Sequence, residues 1–445
     1  MPSSRTEYIL VVPHPSEARV LLLPAGDGYA LPRFETDEVH FWQTVDHINQ
    51  RVLAIWGLRV TTLRCLKLDT DGDPVRRIYL LENHSAEWEP PPGAQWMDKA
   101  AIESTKLAEP GDRALITEGL TWYTDTTAAR AEWYKPGWFG AVGSWVHNKL
   151  VENHITATGP LEQLRSWERS AILRIPTEQG WVYFKALPPM FRHEPALNRW
   201  LAYNFPENFP LLITVDGWRR WMLMPDYGAN TLEKVIDIEK WQAALRRYGE
   251  LQSALAPRTH ELQGLGCPDR RLYHFQAQIE PFLNGDEARL SGDTLKLTAD
   301  EVAALRTRIP TFKRWCNDLL QYSIPASIEH GDLWAGQVVM HGDHSVFIDW
   351  SDASVSHPFF SMLFLKEVLP PLGVTDAQAM LRNAYLEGWK AFEPMTRSIA
   401  AFELAQRLAP LHHAIHYYKH ILPNMQFKWE MSNMVPFYLK QALVE

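Results

Sequence analysis

A chain of 445 residues has room for two or three domains with sizeable cores, and 46% hydrophobic against 22% charged residues excludes a disordered protein. The net charge of −9 leaves no basic footprint, which argues against a nucleic-acid partner and is compatible with a cationic ligand. Cys65, Cys267 and Cys316 are unclustered and odd in number, which suits a reducing compartment and matches no zinc spacing. No basic region followed by an apolar run opens the chain, and no stretch approaches membrane length, so the expectation is a cytoplasmic protein with no membrane partner.

Residues 8–12 and 18–23 are apolar runs split by Pro13-His14-Pro15-Ser16, a hairpin pattern. After Leu31-Pro32, the steps between Val39, Trp42, Val45, Ile48, Val52 and Ile55 predict a helix over 37–56, closed by Gly57-Leu58. Residues 60–66 and 78–81 read as further strands. This order of strands, Leu-Pro, long helix and Gly-Leu resembles a Nudix hydrolase domain, whose helix carries paired Mg²⁺-binding glutamates. Aligned on Gly57-Leu58, those positions are Ala54 and Ile55, and the Arg-Glu pair falls on Gln50-Arg51. Apolar side chains cannot ligate a hard cation, so the resemblance implies a non-catalytic accessory domain over residues 1–115.

Residues 89–93 (EPPPG) form an exposed turn, and 97–127 read as a short helix followed by a polar stretch. Pro136-Gly137 opens a Trp-rich helix in which Trp138, Ala141, Val142, Trp145 and Val146 share one face. That face predicts a linker helix, within residues 116–155, packing between two domains.

Three strands follow, at 161–166, 171–175 and 181–186. In the third, Lys185 falls on the side opposite Val182 and Phe184. Glu194 opens the next helix, with Pro195 tolerated in its first turn. Residues 211–215 and 221–224 form a further strand pair that leaves through Pro225 and Gly228. Helical periodicity then runs over 232–236, 238–255, 273–283 and 299–320.

The most informative stretch is 328–362, IEHGDLWAGQVVMHGDHSVFIDWSDASVSHPFFSM. His330-Gly331-Asp332 ends an apolar run and leads into a polar loop. Residues 338–340 and 345–348 read as a hairpin that delivers Asp349 to the end of a buried strand. The second tripeptide, His341-Gly342-Asp343, fits the hairpin turn and carries no chemistry. Two carboxylates, Asp332 and Asp349, are thus set one hairpin apart, as a phosphoryl-transfer site requires of its base and its metal ligand.

The pattern H-G-D-x-x-x-x-[N/Q] followed by I-D-W resembles the core of the aminoglycoside phosphotransferase and choline kinase group, which has the protein-kinase fold. The resemblance implies an α+β architecture: a bilobal kinase-like domain with an antiparallel-sheet lobe over 156–228 and a helical lobe over 229–445. It implies Asp332 as catalytic base, His330 as organiser of the loop, and Gln337 and Asp349 as Mg²⁺ ligands. Lys185 would contact the nucleotide phosphates and be held by Glu194. Backbone near Met222, Leu223 and Met224 would bind the adenine edge. Two departures stand out. Gln337 replaces the usual Asn, and the turn Ser166-Trp167-Glu168-Arg169-Ser170 has no glycine pattern, which leaves Ser166 or Ser170 hydroxyls and backbone N–H groups for phosphate contacts.

Asp352 and His357-Pro358-Phe359-Phe360 continue the resemblance, Asp352 as a support for the metal or substrate or as a cap. His412, His416 and His420 fall on one helix face, with no nearby Cys or carboxylate to complete a metal site, so packing is expected. The expected function is transfer of the γ-phosphate of ATP or GTP to a hydroxyl of an aminoglycoside-, choline- or amino-alcohol-like small molecule, with Mg²⁺. The alternative is a nucleotide-binding sensor of the same fold. Acceptor identity and oligomeric state are not encoded in any motif.

Overall fold

The computed structural model describes residues 5–70, 72–125, 130–342, 344–366 and 372–444. The chain divides into two compact units, Met1–Pro188 and Pro189–Glu445.

The first unit opens with β1 (Thr6–Val11), β2 (Arg19–Ala25), β3 (Gly28–Ala30), β4 (Arg33–Thr36), α1 (Asp46–Trp56), β5 (Val60–Asp69), β6 (Val75–Asn83) and β7 (Gln95–Asp98). The predicted hairpin closes only at its turn, through a Pro13↔Val20 bridge. Beyond it the two strands part, because β1 is buried at every position and needs partners on both edges. It lies between β4, antiparallel, and β6, parallel, in a sheet of order β4-β1-β6-β5, while β2 sits between β3 and β7. Val11, Val20, Leu22, Leu63 and Leu80 are among the core side chains these sheets contribute.

The helix predicted over 37–56 begins only at Asp46. Its expected first half is irregular, with a turn closed by Thr44 N–H on the Phe41 carbonyl, and residues 43–45 pair with a distant segment instead: Ser166 N–H donates to the Gln43 carbonyl (3.0 Å), Val45 N–H donates to that of Leu164 (3.0 Å), and Thr44 bridges Arg165. The apolar spacing there was coincidental, and Val39 is 79% exposed. Ala54 and Ile55 lie on the exposed side of α1.

The stretch read as a short helix and polar segment contains two helices, α2 (Lys99–Ser104) and α3 (Asp112–Thr124); residues 126–129 lie outside the described residues. Helix α4 (Trp138–Glu152) buries Trp138, Val142, Val146 and Leu150 along one stripe. Three antiparallel strands follow it, β8 (Glu162–Trp167), β9 (Ser170–Thr177) and β10 (Gly180–Ala186). The Trp-rich helix packs inside the first unit, with the rings of Trp138 and Trp145 6.1 and 5.8 Å from that of Phe184 on β10. Gln163 ties the same strands to the N-terminal sheet, accepting from Thr62 N–H (2.7 Å) and donating to its carbonyl (2.8 Å) as a strand backbone would.

The second unit begins with α5 (Glu194–Asn204) and an antiparallel pair, β11 (Thr214–Asp216) and β12 (Trp221–Pro225). Helix α6 (Ile238–Leu255) starts where Asp237 caps Glu239 N–H and buries Trp241, Leu245, Tyr248 and Gln252. After α7 (Thr259–Gly264) and α8 (Leu272–Leu283), the single helix predicted over 299–320 is two, α9 (Ala299–Thr307) and α10 (Ile309–Leu319). Pro310 sits in the first turn of α10, where its missing N–H costs nothing, and so marks a start within the periodic run. Then come β13 (Ser327–Glu329), the hairpin β14 (Val338–His341) and β15 (His344–Phe347), β16 (Ser354–Ser356), α11 (Ala377–Glu387), α12 (Met395–His416) and α13 (Met434–Val444). Among the described residues no helix is long and apolar enough to cross a membrane.

Helix α6 and the end of α11 meet at glycines. A Cβ on Gly249 would overlap the Tyr385 carbonyl, and one on Gly388 would overlap the Gly249–Glu250 backbone. Gly249→Ala should therefore lower stability by about 1–3 kcal/mol through overpacking. Urea denaturation measures it, and an unchanged midpoint would mean that the helices part at no cost.

Candidate active site

The centre of the site is the β13–β16 ladder, in which Ser327, Ile328 and Glu329 pair with Ser356, Val355 and Ser354. All six residues are buried, so their polar side chains must find partners inside. Ser327 donates to the Gln252 carbonyl (2.5 Å) and Ser356 to that of Arg270 (3.0 Å). Ser354 donates to Glu329 Oε2 (3.1 Å), and Glu329 Oε1 accepts the N–H of Gly331 (2.8 Å). Burial raises the Glu329 carboxyl to about 7, with the nearby Arg270 guanidinium opposing the shift.

The loop that follows is bound to this ladder. Gly331 has φ +81°, and any Cβ there would overlap the Asp352 carbonyl, so two strands of backbone meet at a point that admits no side chain. His330 is wholly buried. Its backbone N–H donates to Ser361 Oγ (3.0 Å), and Nε2, as the protonated tautomer, donates to the Ile348 carbonyl (2.9 Å). Its ring lies 4.5 Å from that of Trp350. One imidazole thus joins the His330-Gly331-Asp332 turn to the Ile348-Asp349-Trp350 turn. Asp332 emerges half-buried from this support, ahead of a short 3₁₀ turn (Ala335–Gln337) in which the Trp334 ring covers Gly336.

Asp349 follows β15 in the left-handed region, at φ +62°, which Asp tolerates better than most residues. Its Oδ2 accepts from Gln337 Nε2 (3.3 Å), and Ile348 N–H donates to the Gln337 carbonyl (3.0 Å), so these two proposed ligands are neighbours by side chain and by backbone. Ser351 Oγ lies 2.9 Å from Asp349 Oδ1 and 2.6 Å from Oε2 of Glu194, which is 1% exposed at the start of α5. Asp352 is buried and accepts from His416 Nε2 (2.8 Å); desolvation holds His416 down at about 3, so it donates as a neutral ring. Arg270 Nη1 donates to the Asp352 carbonyl (3.2 Å). Asp352 therefore braces the loop from behind. His412 and His416 are packed side chains, and among the described residues no group of three or more His, Cys, Asp or Glu side chains could hold a metal ion.

The other expected residues lie as follows. Lys185 belongs to the first unit and is 9% exposed on β10. Ser166 is buried with its hydroxyl donated to the Leu63 carbonyl (2.8 Å), a commitment inside the fold that takes up its only proton. Ser170 Oγ accepts from the Trp167 indole (3.0 Å) and keeps its own proton for another acceptor. On β12, Met222 and Leu223 are buried and Met224 is half-buried; the Leu223 carbonyl already accepts Ile213 N–H (2.8 Å). Asp343, in the second tripeptide, lies outside the described residues. Glu329, Ser351, Ser361 and Arg270 had no place in the sequence pattern. Of these only Ser351 carried a signal, its position two residues beyond Asp349.

The turn carrying Asp332 is thus tied through His330 to the segment carrying Asp349, which is hydrogen-bonded to Gln337. The chain belongs to the phosphotransferase enzyme family, whose model matches residues 163–402, more than half of its length. It is similar to an ethanolamine kinase from Plasmodium vivax, at 12% identity over 76% of this chain and 97% of that one, with a TM-score of 0.48. It is also similar to a macrolide 2'-phosphotransferase from Brachybacterium faecium (15% identity, 68% and 98% covered, TM-score 0.44). A choline/ethanolamine kinase family protein from Mesorhizobium loti gives 15% identity, 65% and 89% coverage and a TM-score of 0.43. No curated protein matches the chain.

Glu329 binds its proton more tightly in the folded chain than in the unfolded one, so its contribution to stability is full below the ordinary Glu range and is lost as pH rises through about 7. Glu329→Gln keeps an acceptor for Gly331 and never ionises. Its stability relative to wild type should therefore improve as pH climbs from about 4.5 to about 7. Thermal melts of both proteins across that window test this, and a constant difference would place the Glu329 pKa outside it.

Proposed function

We propose that this chain transfers the γ-phosphoryl group of ATP or GTP to a hydroxyl of a small aminoglycoside-, choline- or amino-alcohol-like acceptor. The observation that carries the reading is the single imidazole, His330, that fixes the Asp332 turn to the segment presenting Asp349 beside Gln337. In this reading Asp332 orients the acceptor hydroxyl and takes its proton as the bond to phosphorus forms. Lys185 and Glu194 serve the nucleotide phosphates, the backbone of Met222, Leu223 and Met224 the adenine edge, and Ser170 with nearby N–H groups the phosphate end. Ser166, already committed, is left out.

Asp349 and Gln337 would hold Mg²⁺. The fit rests on donor chemistry: a carboxylate and an amide 3.3 Å apart, with the amide oxygen brought to the carboxylate side by a half-turn of the Gln337 terminus. Bound there, the ion would neutralise charge on the β- and γ-phosphates. The region over 1–115 serves as an accessory domain of Nudix-like fold without hydrolytic chemistry, supported by the exposed, non-ligating Ala54 and Ile55 on α1.

A second reading, a nucleotide-binding sensor, draws on the orientation in which Gln337 presents nitrogen rather than oxygen to Asp349. Two measurements separate them. Acceptor-stimulated ADP or GDP release across a panel of hydroxylated amines should fall about 10²–10⁴-fold in Asp332→Asn; turnover surviving that change would remove Asp332 from the chemistry. Gln337→Leu should raise the Mg²⁺ needed for half-maximal rate by about 10–100-fold, with Gln337→Asn restoring it. Unaltered Mg²⁺ dependence in Gln337→Leu would remove Gln337 from the metal site, and nucleotide binding with no acceptor-stimulated release in the wild type would favour the sensor.

A further inference from the structure

Ser351 occupies a position that the roles above leave unassigned. It is 6% exposed, and its single hydroxyl touches two carboxylates: Glu194 Oε2 at 2.6 Å and Asp349 Oδ1 at 2.9 Å. A hydroxyl has one proton to give and two lone pairs. Either carboxylate can accept that proton, and the shorter distance falls in the range of a hydrogen bond to an ionised oxygen, about 2.5–2.7 Å, so Glu194 is the stronger competitor for it. When Glu194 holds the proton, lone pairs of Ser351 Oγ are left for the side on which Asp349 Oδ1 lies.

Two oxygens at adjacent corners of an Mg²⁺ octahedron, with bonds of about 2.0–2.1 Å, lie about 2.9 Å apart. That is the spacing between Ser351 Oγ and Asp349 Oδ1. The same division of labour, a hydroxyl that ligates Mg²⁺ alongside an acidic residue, serves phosphoryl transfer in P-loop enzymes, on an unrelated fold. We infer that the Ser351 hydroxyl oxygen is a further donor to the cation held by Asp349, with Glu194 drawing its proton away from the metal side. The inference rests on the phosphotransferase reading and deepens it. It gives Glu194 a second task, since a carboxylate accepting the Ser351 proton fixes which way the lone pairs face. It also supplies a hard oxygen near a site where Gln337 stands for the usual shorter amide.

The test uses the full chain with ADP and Mn²⁺, a paramagnetic substitute for Mg²⁺ followed by electron paramagnetic resonance. Ser351→Ala should weaken Mn²⁺ binding tenfold or more. Ser351→Cys replaces a hard donor with a soft one, so it should weaken Mn²⁺ while tightening Cd²⁺, shifting the preference for Cd²⁺ over Mn²⁺ at least tenfold toward Cd²⁺. A purely structural serine would not change that preference, and the cysteine variant answers the question even if the alanine variant folds poorly. Wild-type Mn²⁺ affinity in Ser351→Ala, with binding lost in Asp349→Asn, would overturn the inference and leave the phosphotransferase reading standing. Binding unchanged in Asp349→Asn as well would remove the metal assignment itself.

Discussion

The geometry of the site depends on two three-residue strands that bury every side chain they carry. Strands so short contribute few backbone hydrogen bonds, and their hold comes from polar side chains that cannot reach water. Glu329 shows how this works: it closes on Ser354 across the ladder and on the N–H of Gly331 ahead of it, so the same carboxyl that completes the sheet fixes the first step of the His330-Gly331-Asp332 turn. Leaving any of these groups unpaired would cost about 1–3 kcal/mol, more for a charged one. The turn can leave the ladder along one path only.

Charge follows the same economy. Two acidic side chains, Glu329 and Asp352, lie behind the loop with a single buried guanidinium, Arg270, among them. Burial keeps His416 and His413 neutral, so they supply hydrogen bonds without adding cations. Behind the loop sits a polar, nearly neutral scaffold of Gln252, Tyr248, Tyr385 and Ser361. Tyr385 OH donates to Gln252 Oε1 (2.6 Å), Gln252 Nε2 donates to the Ile328 carbonyl (2.6 Å), and Tyr248 OH donates to Ser361 Oγ (2.9 Å).

Much of this could be read in the sequence because it is local. The hairpin after Gln337, the meander over β8–β10 and helix α6 each declare themselves by turns and periodicity within a short window. What escaped depends on distant partners. Residues 37–45 carry helical spacing, but 43–45 give their backbone to the edge of β8, more than a hundred positions away. Residues 8–12 and 18–23 look like hairpin mates and join different sheets, because β1 is claimed by β4 and β6. At the site, Asp332, Asp349 and Gln337 stood out as a motif. Ser351 and Glu329 are ordinary letters whose importance arises from two carboxylates and one glycine N–H brought to them by folding.

The left-handed backbone at Asp349 constrains which residues could replace it over evolutionary time. Single-base changes in an Asp codon lead to Asn, Gly, Glu, Ala, Val, His or Tyr. Gly and Asn accept that conformation most readily and His less so, while a β-branched Val there is a severe outlier. A descendant that lost this carboxylate yet kept the fold would thus carry Gly or Asn, or less readily His, at this position. The backbone angle, as much as the carboxylate itself, would decide which replacements persist.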